Sequence, residues 1–458
     1  MKSVDLGSDK TWNSILKLAL PAMLAQLVNV LYNIVDRIYV GNIPDVGSIS
    51  LIGLGVCSPI TTLISSFGYL IGLGGAPLFS IALGEKNPHK AKQILSNAFL
   101  MLLVVSALIM LTFYLSLDPM LYAFGASKTS FSYAKTYMTF FLMGTFFSII
   151  ATGLNQFLSA QGYSLFAMIS TLSACILNIF LDPLFIFVFN LGVKGAAIAT
   201  VISQFLSFGL ALFFLLKKAT VPLSFGGYSL KIVFQILKLG FSPFIITASD
   251  SLILILLNSV LEKTGGDQGD YFIEVATIVQ AFESLVTGPL LGISSGTQPV
   301  LGYNYGAKNI PLIKKAEKQI TLFALGFTTV CFEFSFLISR PFSQMFVGFS
   351  NSGGDSASIV DASVKFIQVY MYGIIPLSFQ YVFVDGLTGM GQAKYSIWLS
   401  LNRKLILYIP SLYLIADVAS GIVSSIFYFI LTPRIFKKRL DERCEISKGD
   451  SSNPISSF

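Results

Sequence analysis

The sequence predicts an all-α integral membrane protein with about twelve transmembrane helices in two six-helix bundles, and three observations predict it. Of its 458 residues, 54% are hydrophobic and only 12% are charged, with a mean hydropathy of +0.75, whereas a soluble domain carries roughly 25% charged residues. Residues 99–117 and 195–216 contain no charge, and about 20 mainly apolar residues suffice to cross the hydrocarbon core as a helix. The chain also matches itself at one offset: Pro21, Gly74, Pro77, Gly84, Lys86, Asn87 and Lys92 recur 222 positions later as Pro243, Gly296, Pro299, Gly306, Lys308, Asn309 and Lys314. With an even number of spans per copy, the repeat is parallel, and a pseudo-twofold axis along the membrane normal relates its halves.

Gly, Pro, Asn and charge delimit the spans. A polar head with Lys2, Asp5, Asp9 and Lys10 leads into the first, 14–40, which holds Pro21. It does not read as a cleavable leader, so this span is expected to stay. The others in the first half are 50–83, 93–117, 134–159, 165–189 and 194–216. A stretch with Pro222, Gly226 and Gly227 follows and reads as a linker. The second half gives 235–261, 272–305, 318–339, 362–390, 396–414 and 416–433. The expected division is a first bundle over 1–216, a cytoplasmic linker over 217–234, a second bundle over 235–436 and a cytoplasmic tail over 437–458.

Charge orients the chain. One set of loops and span edges carries Lys86, Lys90, Lys92, Lys217, Lys218, Lys231, Lys238, Lys308, Lys314, Lys315, Lys318 and Lys394, while the other carries Lys128, Lys135, Lys194, Lys263, Arg340 and Lys365. The richer set belongs inside, as does the tail with Arg434, Lys437, Lys438, Arg439 and Arg443, so both termini are expected in the cytoplasm. The net charge of +7 sits in clusters between apolar spans rather than in one stripe, which sets nucleic acid aside. Cys57, Cys175, Cys331 and Cys444 have neither metal spacing nor a framework, and His89 is the sole histidine, so zinc and disulfide readings fail.

Several segments together resemble the multidrug and toxic compound extrusion (MATE) family, closest to its branch of small bacterial drug exporters. These are KLALPAMLAQLVNVLYNIVDRIYVG, YLIGLGGAPLFSIALGEKN, LNQFLSAQGYS, LNIFLDPLFIF and GAAIATVISQ in the first half, then GISSGTQPVLGYNYGAKN and MGQAKYSIWLSLNRKLILYIP in the second. The resemblance covers nearly the whole chain. It implies a V-shaped molecule in a bacterial cytoplasmic membrane, with a cleft between two bundles and a cation-binding cavity in the first. It also implies efflux of organic cations or drug-like molecules in exchange for protons or sodium ions. The expected partners are a small-molecule substrate and membrane lipids, with the chain a monomer and no cofactor beyond the coupling ion.

An ionised carboxylate at bilayer depth costs roughly 3 kcal/mol or more, so each intramembrane acid is a functional candidate. Gln26, Asn29, Tyr32, Asn33 and Asp36 recur at three- and four-residue spacing, a polar stripe on one side of the first span; the plainer reading pairs Asp36 with Arg37 at the interface. Asp182 lies one turn after Asn178 and before Pro183, which disturbs the helix and releases backbone carbonyls; the plainer reading is a helix-end residue. Matched motif by motif, the family's ion network falls on Tyr32, Asp36, Asn178, Asp182 and Thr200, with Asn155 as a neighbour. Proton and sodium coupling both stay open. In the second half Asn258 stands at the repeat position of Asp36, and Arg403 and Lys404 occupy the region matching Asp182. Ion coupling is therefore expected in the first half, with Asp250, Glu283, Glu333 and Asp385 as further acids balanced against salt bridges, for instance to Arg403. The glycines Gly72, Gly74 and Gly75 read as close-packing positions, since no strand precedes them to form a phosphate loop.

The last two spans read as shortened, joined either by a tight turn at Ala416 and Asp417 or as one bent helix. The nearest alternative function is a flippase for a lipid-linked oligosaccharide or peptidoglycan precursor, with Arg37, Arg403 and Lys404 meeting an anionic substrate. A membrane enzyme would need a nucleophilic constellation near the surface, and His89 with Glu85 does not supply one. A channel suits the two-bundle repeat and intramembrane acids less well than alternating access does.

Overall fold

A computed structural model describes residues 3–265, 269–349, 356–403 and 413–450. Its helices are α1 (Thr11–Gly41), α2 (Gly47–Gly84), α3 (Pro88–Leu115), α4 (Leu117–Ala123), α5 (Phe131–Ala160), α6 (Ser164–Pro183), α7 (Val193–Lys217), α8 (Leu230–Gly265), α9 (Gly269–Gly306), α10 (Ile310–Phe349), α11 (Ser356–Gly389), α12 (Ala393–Leu401) and α13 (Tyr413–Asp450). Among the described residues 11 helices are long and apolar enough to cross a membrane, so the chain is a multi-pass membrane protein. Within the predicted span 396–414, residues 404–412, with Lys404, lie outside the described residues, as do the side chains of Asn258, Lys263, Lys438, Arg443 and Cys444.

Two details differ from expectation. The short α4 follows the third span at a break at Ser116, where the Ser116 hydroxyl donates to the Thr112 carbonyl at 2.7 Å. Ala416 and Asp417 form no turn: α13 already begins at Tyr413, and Asp417 is buried.

Local chemistry sets the helix ends. Asn87 accepts the backbone N–H of Lys90 at 2.9 Å and Pro88 opens α3, a position where its missing N–H costs nothing. The repeat copies this turn, with Lys86 at φ 56° and Lys308 at φ 58°, each followed by an asparagine. Past Pro183 the helix loosens into a π-helical turn, Leu184–Val188, as a ring that removes one hydrogen bond favours.

The first bundle packs around a core built from α2 to α7, and the second around α9 to α13. Their leading helices cross over. Ile15 and Leu18 of α1 sit in the core of the second bundle, while Ile236 of α8 sits in the core of the first. The close helix pairs between the halves are accordingly α1 with α9 and α2 with α8.

Backbones touch on the pseudo-twofold axis. A Cβ at Gly84 would lie 1.9 Å from the Tyr303 carbonyl oxygen, and one at Gly306 would lie 2.1 Å from that of Ile81; Ile81 and Tyr303 are themselves 222 positions apart. Gly74 meets Gly240 of α8, so the glycine-rich second span packs closely as its composition predicted. Both described ends of the chain lie at this seam: the Val4 N–H donates to Gly162 at 3.0 Å, and Arg439 bonds Glu85 at 3.1 Å. The segment between α7 and α8 is strapped to the first bundle. Gln161 exchanges two hydrogen bonds with the backbone of Val221, at 3.3 and 2.9 Å. Asn97 bonds Gly227 and Ser229 at 3.1 and 2.9 Å.

Candidate functional site

Between the bundles lies a cavity of about 580 Å³, within the usual range for drug-sized ligands. The polar stripe of α1 supplies part of its wall through Asn29, Tyr32 and Asn33. Asp36, one turn further, is turned off the wall and buried at 6% exposure, with its Oδ1 lacking a hydrogen-bond partner. Asp182 is fully buried at 0% exposure. Asn178 Nδ2 donates to its Oδ1 at 3.1 Å, while its Oδ2 has no partner.

Asn178 is itself part of the cavity wall, as are Asn155 and Thr200. The Tyr32 hydroxyl lies near Thr200 and in the field of both Asp36 and Asp182. Thr200 Oγ1 donates to the Ala196 carbonyl at 3.0 Å. All six expected residues of the first bundle thus gather around one place. Arg37 lies beside Asp36 but donates its Nη2 to Ser58 of α2 at 3.0 Å, so the simple interfacial pair does not form.

Four oxygens of this group, Asp36 Oδ1, Asp182 Oδ2, Asn178 Oδ1 and Asn155 Oδ1, are buried without donors. Burying a charge or an acceptor unpaired costs several kcal/mol, and a proton on a carboxylate or a metal ion among the oxygens would satisfy them. Sequence reasoning missed Tyr137 of α5, which lines the cavity and faces Asp36 and Asp182. It stands among many span aromatics, with no periodic signal to single it out.

The second bundle contributes charge to the same wall. Asp250, Asp385 and Arg403 line the cavity, and Ser294 Oγ donates to Asp385 Oδ2. Glu283 is not part of that wall but lies, with Asp250, in the field of Tyr381. Arg403 pairs with Asp417 at 3.1 Å, both side chains buried, and sits over the Tyr381 ring at 5.5 Å. Asp417, which the sequence offered as either a turn residue or part of a bent helix, is thus a partner of a wall cation. Glu333 is exposed on α10, away from the cavity. Glu317, which no sequence pattern marked, is buried at 5% exposure.

The MatE family model matches residues 21–184 and 244–414. The multidrug export protein MepA of Staphylococcus saprophyticus is 25% identical over 413 residues, 89% of this chain and 88% of that one. The protein of the same name from Staphylococcus haemolyticus is 24% identical over 421 residues, 91% of this chain and 90% of that one. Among solved structures, a MATE protein in complex with MaL6 superimposes with a TM-score of 0.86 at 22% identity, covering 95% of this chain and 100% of that one. An outward-facing multidrug resistance MATE family transporter of the MOP superfamily gives 0.86 at 23%, covering 95% and 99%. A MOP superfamily transporter from Pyrococcus furiosus, described as having a binding pocket of reverse polarity, gives 0.86 at 22% over the same shares. These superpositions show the fold.

Proposed function

This chain belongs to the MatE family, and from that membership we propose that it is a secondary transporter exporting organic cations or other drug-like molecules in exchange for protons or sodium ions. The observation that carries this reading is the position of Asn178. Its side chain is in the cavity wall and donates to buried Asp182, so cargo in the cavity and a cation at the acids act on one hydrogen-bonded unit. Occupancy at Asp36 and Asp182 then shifts the balance between two cavity conformations by the ion's differential affinity for them, and cargo shifts it the other way. Family membership and the multidrug-export relatives favour a transporter over an enzyme. The termini are assigned to the cytoplasm from the lysine asymmetry.

Arg403 in the wall favours the flippase reading, since a guanidinium recognises anionic head groups. Its pairing with Asp417 offsets that charge, and Asp385 adds an acid to the same wall, which suits cationic cargo. The test is efflux of ethidium from proteoliposomes under an imposed proton gradient and, separately, a sodium gradient. Efflux driven by one gradient and lost in both Asp36→Asn and Asp182→Asn supports the reading and identifies the ion. No efflux under either gradient, with the protein shown to be folded, sinks it in favour of the flippase.

A further inference from the structure

Glu317 lies seven residues into α10, on the interior side of the second bundle, with neither carboxylate oxygen in a hydrogen bond. Its head group rests on the backbone of α11: a Cβ at Gly386 would lie 2.7 Å from Glu317 Oε1, so glycine is what leaves room for the carboxylate. The ionisable groups facing it are Asp385 of α11 and Tyr428 of α13, and Tyr428 is turned toward it without closing a normal hydrogen bond. Around Asp385, α9 adds Ser294 and Gln298, neither ionisable. Among the described residues no Lys or Arg forms an ion pair with Glu317. A buried carboxylate without a counter-charge is poorly sustained as an anion, and Asp385, next to Gly386 in α11, lines the cavity. The repeat underlines the oddity, for the position 222 residues earlier is Leu95, fully buried at 0% exposure.

We propose that Glu317 is a second proton-binding site, coupled to the cavity through the charge on Asp385. The proposal rests on the exchange reading and deepens it by placing one coupling proton in the second bundle. The step is a simple protonation: the Glu317 carboxylate takes a proton from water, and no electrons move. While Asp385 is ionised its charge keeps the proton on Glu317; a cationic cargo against Asp385 offsets that charge, and Glu317 releases the proton. Cargo binding and proton release are thereby linked without contact between cargo and Glu317.

The test is an infrared titration of the purified full-length protein from about pH 5 to about pH 9, a range wide enough to include both forms of a perturbed carboxyl, with and without ethidium. The expected result is a protonated-carboxyl C=O band that shrinks on ethidium addition, is absent in Glu317→Gln and survives in Asp36→Asn. Ethidium affinity in the normal protein should rise with pH, and Glu317→Gln should flatten that rise by about tenfold. Glu317→Leu, which restores the side chain of the first bundle, should behave like Glu317→Gln and serves if the glutamine variant folds poorly. A band that remains in both variants, or one that belongs to Glu317 but never responds to pH or ethidium, overturns the proposal. Absence of gradient-driven ethidium efflux in the normal protein would defeat the exchange reading, while the infrared assignment would still decide whether Glu317 binds a proton.

Discussion

At position 36 the first bundle places an aspartate; 222 residues on, the second has Asn258. At position 95 the first has a leucine, where the second has Glu317. Asp36 is the twenty-sixth residue of the 31 in α1, far from the seam that joins the bundles, whereas Glu317 lies early in α10, near that seam. The duplicated scaffold thus carries these two acids at opposite depths. The copies also differ in how charge is matched. Arg403 and Asp417 form a buried ion pair, while Asp36 and Asp182 keep oxygens that nothing satisfies. A matched pair contributes to holding a helix in place, whereas an unmatched acid gives a cation somewhere to bind.

The largest expected effect follows from this contrast. Asp417→Ala removes an ion partner from the buried Arg403 and should cost about 3–5 kcal/mol, read as a loss of thermal stability in detergent. Asp36→Asn removes an unmatched charge and should leave stability unchanged. Equal destabilisation by the two would break the distinction.

Next, transport should fall about a hundredfold in Asp36→Asn or Asp182→Asn but only about tenfold in Asp385→Asn, measured as gradient-driven ethidium efflux. The reverse order would move the principal coupling site to the second bundle.

The seam tests where the copies agree. Gly84→Leu and Gly306→Leu push side chains into symmetry-related carbonyls, and each should destabilise by about 1–3 kcal/mol. Clearly unequal melting shifts would show that the seam is not symmetric.

The smallest effect concerns Glu85, which ties α2 to Lys90 and to Arg439 of the other bundle. Burial opposes its charge, but the hydrogen bonds and charges of Lys90 and Arg439 outweigh it and hold the carboxyl below its ordinary value of 4.5. A depressed carboxyl contributes above its unfolded value and loses that contribution as pH falls through the lower folded value. The tie should therefore persist throughout the neutral range and fail only in strong acid. Glu85→Gln should cost at most about 1 kcal/mol, with the difference from the normal protein vanishing at low pH.

The sequence carried the helices, the repeat and the six first-bundle residues that gather around the cavity, because long apolar runs and three- or four-residue polar spacing are local signals. Tyr32, Asp36, Asn178 and Asp182 were legible on those grounds, with the family motifs adding Thr200 and Asn155. The Arg403–Asp417 pair was not, because its members lie 14 residues apart, a separation that matches no helical repeat. Glu317 was hidden for a different reason. It follows Lys314 and Lys315 and precedes Lys318, a setting that does not distinguish it from the other charges of a basic helix end. Laying the two copies side by side against Leu95 was the available signal.

The crossing of the leading helices bears on how the molecule comes into being. Ile15 and Leu18 are made well before the residues they pack against: the core they fill includes Leu290 and Ile293 of α9 and, last, Tyr428 and Phe436 of α13. Between Leu18 and Tyr428 the ribosome must add about four hundred residues, which at about 5–20 residues per second is roughly 20 to 80 s. Until α9 follows, the start of α1 lacks the second-bundle surface it packs on, and the early half-protein must be kept from finding another surface for that stripe.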